Sequence, residues 1–235
     1  MALRYGESLE NLKRAAAERA VAEHVESGMV LGLGTGSTAS FVLRKIGALL
    51  ASGDLKDVRG IPTSAQTAAL AGEVGVPLVK LVEARPRLTI DGADEVEPGL
   101  ALIKGRGGAL LREKIVAYTG GGLVVVADES KLVESLGAGP LPVEIEPFGW
   151  EVTLEALASL GCEPELRMDG AGAPYVTDGG HYTVDCLFFS IPDPAALEGE
   201  IKSIPGALEC GLFVGLAHVA VIGHPGRTEV IETKP

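Results

Sequence analysis

The sequence predicts an α/β protein: a doubly wound parallel sheet joined to a smaller ferredoxin-like α+β domain. Three observations predict it. Short apolar runs alternate with helical patterns over the first half of the chain, the order of a parallel sheet. Four of those runs end, at their carboxyl sides, in GTGST, PTS, DGAD and ADESK. Beyond the Gly- and Pro-rich stretch Gly137 to Pro142, which reads as a linker, the order becomes βαββαβ, the split-βαβ pattern. The expected domains are residues 1–136 plus 209–235 for the parallel sheet and 137–208 for the smaller domain.

Each element has a local reason. Ser8 to Val25 places Leu9, Leu12, Ala16 and Ala20 on one helical face, and Gly28 follows as a stop. Met29 to Leu33 reads as a strand, and a helix over Ala39 to Leu50 follows its glycine turn. Val58 to Ile61 is a strand, with Ser64 placed to cap a helix running to Val74. Pro77 to Leu81 and Leu88 to Ile90 are short strand candidates, and Leu100 to Ile103 is a further apolar run. Gly121 to Ala127 is continuously apolar, as an interior parallel strand is. In the second half, Val143 to Ile145 is a strand and Trp150 to Leu160 a helix that Gly161 stops. Glu163 to Met168 and Tyr182 to Phe189 are strands joined by a glycine-rich hairpin. Asp193 caps a helix with Pro194 at its first position. Leu208 to Phe213 is expected as one strand, and Val219 to Ile222 and Val230 to Ile231 return to the first sheet.

Composition narrows the function classes. A chain of 235 residues with 46% hydrophobic content can bury a sizeable core. The net charge of −12 disfavours broad binding to nucleic-acid phosphates, so no nucleic-acid partner is expected. It still allows a small anion, because a local cluster of Lys and Arg can oppose the global sign. No apolar run approaches a bilayer span, and the opening MALRYGESLENLKRAAAERA lacks an apolar signal core. The expectation is a soluble, cytoplasmic protein without a membrane partner. Cys162, Cys186 and Cys210 are far apart and form no C-x-x-C pair, which suits buried thiols better than disulfides or zinc.

The chemistry gathers at the strand ends, where open α/β sheets bind ligands. Thr35, Gly36, Ser37 and Thr38 join a strand to a helix, so free N–H groups at the helix start can hold an anion. The stretch lacks the third glycine of a dinucleotide fingerprint and the Gly-Lys of a Walker loop. Asp91, Gly92, Ala93 and Asp94 place two carboxylates in a tight turn, where Asp also serves simply to bond its own backbone. Lys104 follows an apolar run and opens the loop Gly105-Arg106-Gly107-Gly108. Glu113 lies in LLREKIV, which is also how a solvated helix face reads, and Lys131 sits in a polar loop. Arg106 and Arg112 read as surface or ion-pair residues. An anion cradle at one end and a carboxylate beside a Lys at the other suit a small sugar phosphate and proton abstraction next to a carbonyl. His24, His181, His218 and His224 show no metal-ligand spacing, so neither metal nor cofactor is expected.

These motifs together resemble type A ribose-5-phosphate isomerase. GLGTGSTA at Gly32 to Ala39, DGADEV at Asp91 to Val96, KGRGGALLREK at Lys104 to Lys114 and ADESK at Ala127 to Lys131 carry the resemblance. PLPVEI at Pro140 to Ile145 and GLF at Gly211 to Phe213 fit as well. Arg106 departs from the family's small-residue loop. The resemblance implies a Rossmann-like domain with a ferredoxin-like lid, a homodimer or homotetramer, and interconversion of D-ribose 5-phosphate and D-ribulose 5-phosphate in the pentose phosphate pathway. It implies metal-free proton transfer between C1 and C2 through a cis-enediolate, with Glu113 as the base. Asp91 would assist ring opening, and Asp94 and Lys104 would position and polarise the oxygens at C1 and C2. Thr35, Gly36, Ser37 and Thr38 would bind near the phosphate. Gly92, Ala93, Gly105, Arg106, Gly107 and Lys131 would complete the substrate contacts. An amino-terminal Lys that helps hold the phosphate matches Lys13 or Arg14.

Two other classes share some of these features. A sugar-phosphate sensor would bind without turnover, but the chain before Gly32 has room for one helix and no helix-turn-helix. Acyl or CoA transfer through a Glu nucleophile shares the architecture by analogy alone.

Overall fold

The computed structural model describes residues 8–233. In chain order the elements are α1 (Leu9–His24), β1 (Val30–Leu33), α2 (Ser37–Ser52), β2 (Arg59–Pro62), α3 (Ala65–Glu73), β3 (Leu88–Asp91), β4 (Glu95–Val96) and β5 (Leu102–Ile103). They continue as α4 (Leu110–Thr119), β6 (Leu123–Asp128), β7 (Leu141–Ile145), α5 (Trp150–Ala158), β8 (Glu163–Leu166) and β9 (Tyr182–Leu187). The chain closes with α6 (Pro194–Lys202), β10 (Ala207–Cys210), β11 (Leu212–Phe213), β12 (Ala217–His224) and β13 (Arg227–Glu232). Two compact units result. The first holds Met1–Ala93, Ile115–Leu132 and Leu216–Pro235; the second holds Asp94–Lys114 and Val133–Gly215.

The first unit is built on a six-stranded sheet, ordered β13-β12-β6-β3-β1-β2. All neighbours pair in parallel except β12 and β13, which form an antiparallel hairpin at one edge. β6 sits inside the sheet and is buried along its whole length, which is why LVVVAD shows no alternation. Helix α1 is capped by Ser8 and buries Leu12, Ala16, Ala17, Ala20 and Val21. Its small side chains permit a close approach: a Cβ on Gly223 of β12 would stand 2.1 Å from the Leu12 carbonyl oxygen. Val42, Leu43 and Ile46 of α2 share this core with Leu31, Leu33, Ile90, Val124 and Val126.

Pro77 to Leu81 does not form a strand. It makes one parallel bridge, Gly60 to Leu78, with Gly60 N–H donating to the Pro77 carbonyl at 2.8 Å and Val79 N–H to the Gly60 carbonyl at 3.0 Å. Pro77 itself has no N–H to continue a ladder.

The second unit contains a four-stranded antiparallel sheet, ordered β10-β7-β9-β8, with α5 and α6. In chain order this is βαββαβ, the expected ferredoxin-like arrangement. Val143, Ile145, Leu157, Val184, Cys186 and Ile201 form its buried core. The expected linker ends earlier than its composition suggests: Leu141 and Pro142 already belong to β7, with Pro142 near the strand's start. The expected strand Leu208 to Phe213 is split at Gly211. Its N–H donates to the Pro142 carbonyl at 2.7 Å, while its own carbonyl accepts from Lys104 N–H at 2.9 Å. Gly211 thus hands the chain from β7 to a separate three-stranded sheet, β11-β5-β4. No side chain fits there, since a Cβ would stand 2.2 Å from the Lys104 carbonyl oxygen.

All three cysteines are buried free thiols. Burial pushes the Cys210 thiol up to about 11. A hydrogen bond with Cys162, followed by burial, drives Cys186 far above the ordinary thiol range. Among the described residues no helix is long and apolar enough to cross a membrane.

Candidate active site

In the first unit, β2, β1, β3 and β6 lie side by side and point the same way. Their carboxyl ends therefore share one sheet edge. β1 runs into Gly34, whose N–H donates to the Ile90 carbonyl at 3.0 Å. A Cβ on Gly34 would stand 2.0 Å from Asp91 Oδ1, so the carboxylate rests directly on this glycine. Gly36 has φ +107°, a conformation side chains rarely adopt, and it lets the turn feed straight into α2 at Ser37. The first-turn N–H groups of a helix lack intrahelical acceptors, and the expected anion site rests on that property of this turn.

Asp91 ends β3 and is almost wholly buried. Its Oδ1 accepts from Thr35 N–H at 3.1 Å and from Gly92 N–H at 2.7 Å. Lys13 Nζ donates to Ser37 Oγ at 3.2 Å, whereas the Arg14 guanidinium lies 5.2 Å from the centre of the Phe41 ring. Of the two amino-terminal cations, Lys13 is the one at the glycine turn. Lys131 ends a 3-10 turn, Glu129–Lys131, that Asp128 caps by accepting Ser130 N–H at 3.0 Å.

In the second unit, Lys104 and Glu113 are both buried, and Lys104 Nζ stands 3.4 Å from Glu113 Oε2. Lys104 follows β5, while Glu113 lies in the first turn of α4, where the helix dipole favours a negative charge. The loop between them needs its glycines. Gly105 has φ +101° and Gly108 φ +80°, and a Cβ on Gly108 would stand 2.2 Å from the Tyr175 hydroxyl oxygen. Lys104 Nζ also lies 5.3 Å from the centre of the Phe213 ring, and Lys114 Nζ lies 5.0 Å from the same centre.

Asp94 Oδ2 accepts from Arg106 N–H at 2.9 Å, within the second unit. The Arg106 side chain goes elsewhere, reaching the buried Glu95 at 2.7 Å and the Pro140 carbonyl at 3.3 Å. Arg112 pairs with Asp178 at 3.1 Å at the surface, in keeping with its reading as an ion-pair residue. Lys114 bridges Glu198 at 2.7 Å and Glu209 at 2.8 Å. Glu198, Glu209 and Cys210 cluster closely enough for a metal, but Lys114, with Lys202 on Glu209 at 3.1 Å, already pairs both carboxylates.

A protein-family description, ribose 5-phosphate isomerase A (phosphoriboisomerase A), matches residues 59–227. The chain belongs to that family. It is 55% identical to the ribose-5-phosphate isomerase A of Roseiflexus castenholzii, over 91% of this chain and 92% of that protein. The Gloeobacter violaceus enzyme of the same name is 53% identical, over 95% of this chain and 96% of that protein. Among solved structures, a D-ribose-5-phosphate isomerase in complex with phospho-erythronic acid superposes with a TM-score of 0.94 at 38% identity, covering 96% of this chain and all (100%) of the other. The Plasmodium falciparum ribose 5-phosphate isomerase gives 0.92 at 42% identity, again over 96% and 100%.

Several residues around the isomerase motifs escaped the sequence. Glu95 is a buried carboxylate that accepts Gly137 N–H at 2.8 Å and Gly139 N–H at 2.7 Å besides Arg106. Arg167 on the hairpin after β8 donates to the carbonyls of Gly105 at 3.3 Å and Arg106 at 3.2 Å, and its Nε is held by Asp185 at 2.8 Å. Partners more than forty positions apart leave no local signal. Thr63 stands in the sequence only as part of the PTS turn after β2, and Thr67 lies inside α3, so neither hydroxyl carries a local signal.

Proposed function

We propose that this chain interconverts D-ribose 5-phosphate and D-ribulose 5-phosphate, as an aldose–ketose isomerase of the pentose phosphate pathway. The observation that carries the reading is the buried Lys104–Glu113 pair, within a sequence that belongs to the isomerase family.

Glu113 is the base. Its carboxylate takes the proton from C2 of the open-chain aldose, and the electron pair moves to form the enediolate. The oxygen at C1 gains charge, and the Lys104 ammonium balances it where little water competes. A hydroxyl proton passes from O2 to O1, which moves the negative charge to O2; Glu113 then returns its proton to C1 as the electron pair on O2 closes the carbonyl at C2. One carboxylate thus serves as base and then as acid.

Asp91 assists opening of the furanose ring, and Asp94 positions the oxygens near C1 and C2. Gly36, Ser37 and Thr38 hold the phosphate with Lys13, and Lys131 contributes a further cation. Gly92, Ala93, Gly105 and Gly107 bring backbone close to the sugar, and Arg106 acts by holding Asp94 through its amide. The chain works in the cytoplasm as a homodimer or homotetramer, which light scattering after size exclusion will read directly.

Purified protein should convert ribose 5-phosphate to the ketose, followed by the absorbance of ribulose 5-phosphate. A folded protein that leaves the aldose unchanged would refute the assignment.

A further inference from the structure

Thr35 is expected from the sequence to bind substrate near the phosphate. Its surroundings give it different work. Thr35 Oγ1 lies 2.7 Å from Thr63 Oγ1, 2.9 Å from Ser64 Oγ and 3.0 Å from Thr67 Oγ1. Thr63, Ser64 and Thr67 are all buried. Four hydroxyls therefore share one small volume at the corner between β2 and α3.

Counting hydrogens assigns the bonds, because each hydroxyl donates once. Thr63 donates to the Leu33 carbonyl at 3.0 Å, and Thr67 donates to the Gly34 carbonyl at 2.9 Å. Ser64 donates to Thr67 Oγ1 at 3.0 Å, and Thr35 donates within the cluster, to Thr63 Oγ1 at 2.7 Å or Ser64 Oγ at 2.9 Å. Ser64 Oγ also accepts Thr67 N–H at 3.0 Å, as the cap of α3. The Thr35 hydroxyl hydrogen is thus engaged inside the cluster, and its amide is engaged by Asp91 at 3.1 Å. Thr35 offers neither donor to an anion. Two of the four hydroxyls hold the backbone of the glycine turn, at Leu33 and Gly34, and a third belongs to the turn itself.

We propose that Thr67, with Thr63 and Thr35, is a positioning residue for Asp91: the hydroxyl cluster fixes the Gly34–Thr35 peptide, whose N–H sets the Asp91 carboxylate. The inference rests on the isomerase reading, in which Asp91 touches substrate. The contact between Gly34 and Asp91 makes the coupling tight. A Cβ at Gly34 would also stand 2.6 Å from Asp91 Cα, so a shift of this peptide cannot leave the carboxylate where it is. The phosphate then depends on Gly36, Ser37, Thr38 and Lys13, and not on the Thr35 hydroxyl.

The test is Thr67→Val against Thr67→Ser. Valine keeps the branched shape and removes the hydroxyl; serine restores it. Exchange of the Thr35 amide hydrogen is read by NMR without substrate, and kcat and KM are measured on ribose 5-phosphate. In Thr67→Val the Thr35 amide should exchange roughly tenfold faster, from the loss of a buried hydrogen bond. The same variant should lose about tenfold in kcat through misplacement of Asp91, with a smaller change in KM. Thr67→Ser should return both to the wild-type values. Thr67→Ala gives the same readouts should the valine variant not fold. Wild-type exchange and wild-type kcat in a folded hydroxyl-less variant would overturn the proposal. Failure of the isomerase reading is distinct: the wild type would then turn over no ribose 5-phosphate, while the Thr35 amide would still report on the cluster.

Discussion

Lys104 Nζ and Glu113 Oε2 stand 3.4 Å apart, and both side chains are withdrawn from solvent. The strand β5 delivers the cation and the first turn of α4 delivers the carboxylate, with a glycine loop between them. In the proposed mechanism this carboxylate takes and returns a proton beside the charge that balances the intermediate. Glu113→Gln keeps the shape and removes the base. Turnover should fall by roughly 10²-fold or more, as it does when a positioned base is lost. Steady-state kinetics with circular dichroism checks both halves: near-normal turnover removes Glu113 from the role.

The two amino-terminal cations separate cleanly. Lys13 holds Ser37 on the glycine turn, while Arg14 stacks on Phe41. Lys13→Ala should raise KM for ribose 5-phosphate by about tenfold, the scale of one charge-assisted contact to phosphate. Arg14→Ala should change KM by no more than about twofold, since an exposed ring contact is worth little. Equal effects would mean that neither cation is specific to the phosphate.

Glu95 holds the second unit together around the glycine loop. Its carboxylate receives Arg106, Gly137 N–H and Gly139 N–H, and it is buried. Glu95→Ala would leave these donors without their acceptor, at a cost of about 3 kcal/mol. Urea unfolding should show that loss, and an unchanged midpoint would show that the donors find other acceptors.

Stability should also depend on pH through Glu209. Burial alone would push its carboxyl up, but the hydrogen bond and charge of Lys114, aided by Cys210 N–H and Lys202, hold it below the ordinary carboxylate range. The unfolded chain then binds the proton more readily than the folded one. This contribution is fully present above the unfolded carboxylate pKa and is lost as pH falls through the folded value. Lys202 is shifted up by its hydrogen bond to Glu209, so its contribution is present below the ordinary lysine pKa and is lost as pH rises through the folded value. Thermal unfolding between pH 3 and 7 should show a shallower acid loss in Glu209→Gln than in the wild type. Identical slopes would place the acid sensitivity elsewhere.

The parallel sheet was legible because its strands are short apolar runs that end in polar turns. LVVVA of β6 and the GTGST turn need only local chemistry to be read. The ferredoxin-like half was equally open, since Asp193-Pro194 and the glycine hairpin mark its boundaries. Hidden were the features that arise from distant pairing. The handover at Gly211 depends on Pro142 and Lys104, and β4 and β5 are two residues long, too short for any periodicity. Within the site, charged residues at strand ends stood out, but the hydroxyls of Thr63 and Thr67 did not. Their meaning comes from what they touch, the carbonyls of Leu33 and Gly34.

The central claim is proton transfer by Glu113 without a metal. The most direct measurement incubates EDTA-treated protein with D-ribose 5-phosphate in D₂O and follows ketose formation and deuterium at C2 by NMR, beside Glu113→Gln. The account predicts ketose and exchange in the wild type, with both lost in the variant. Ketose and exchange that persist in the variant, or that vanish from the wild type with EDTA, would contradict it.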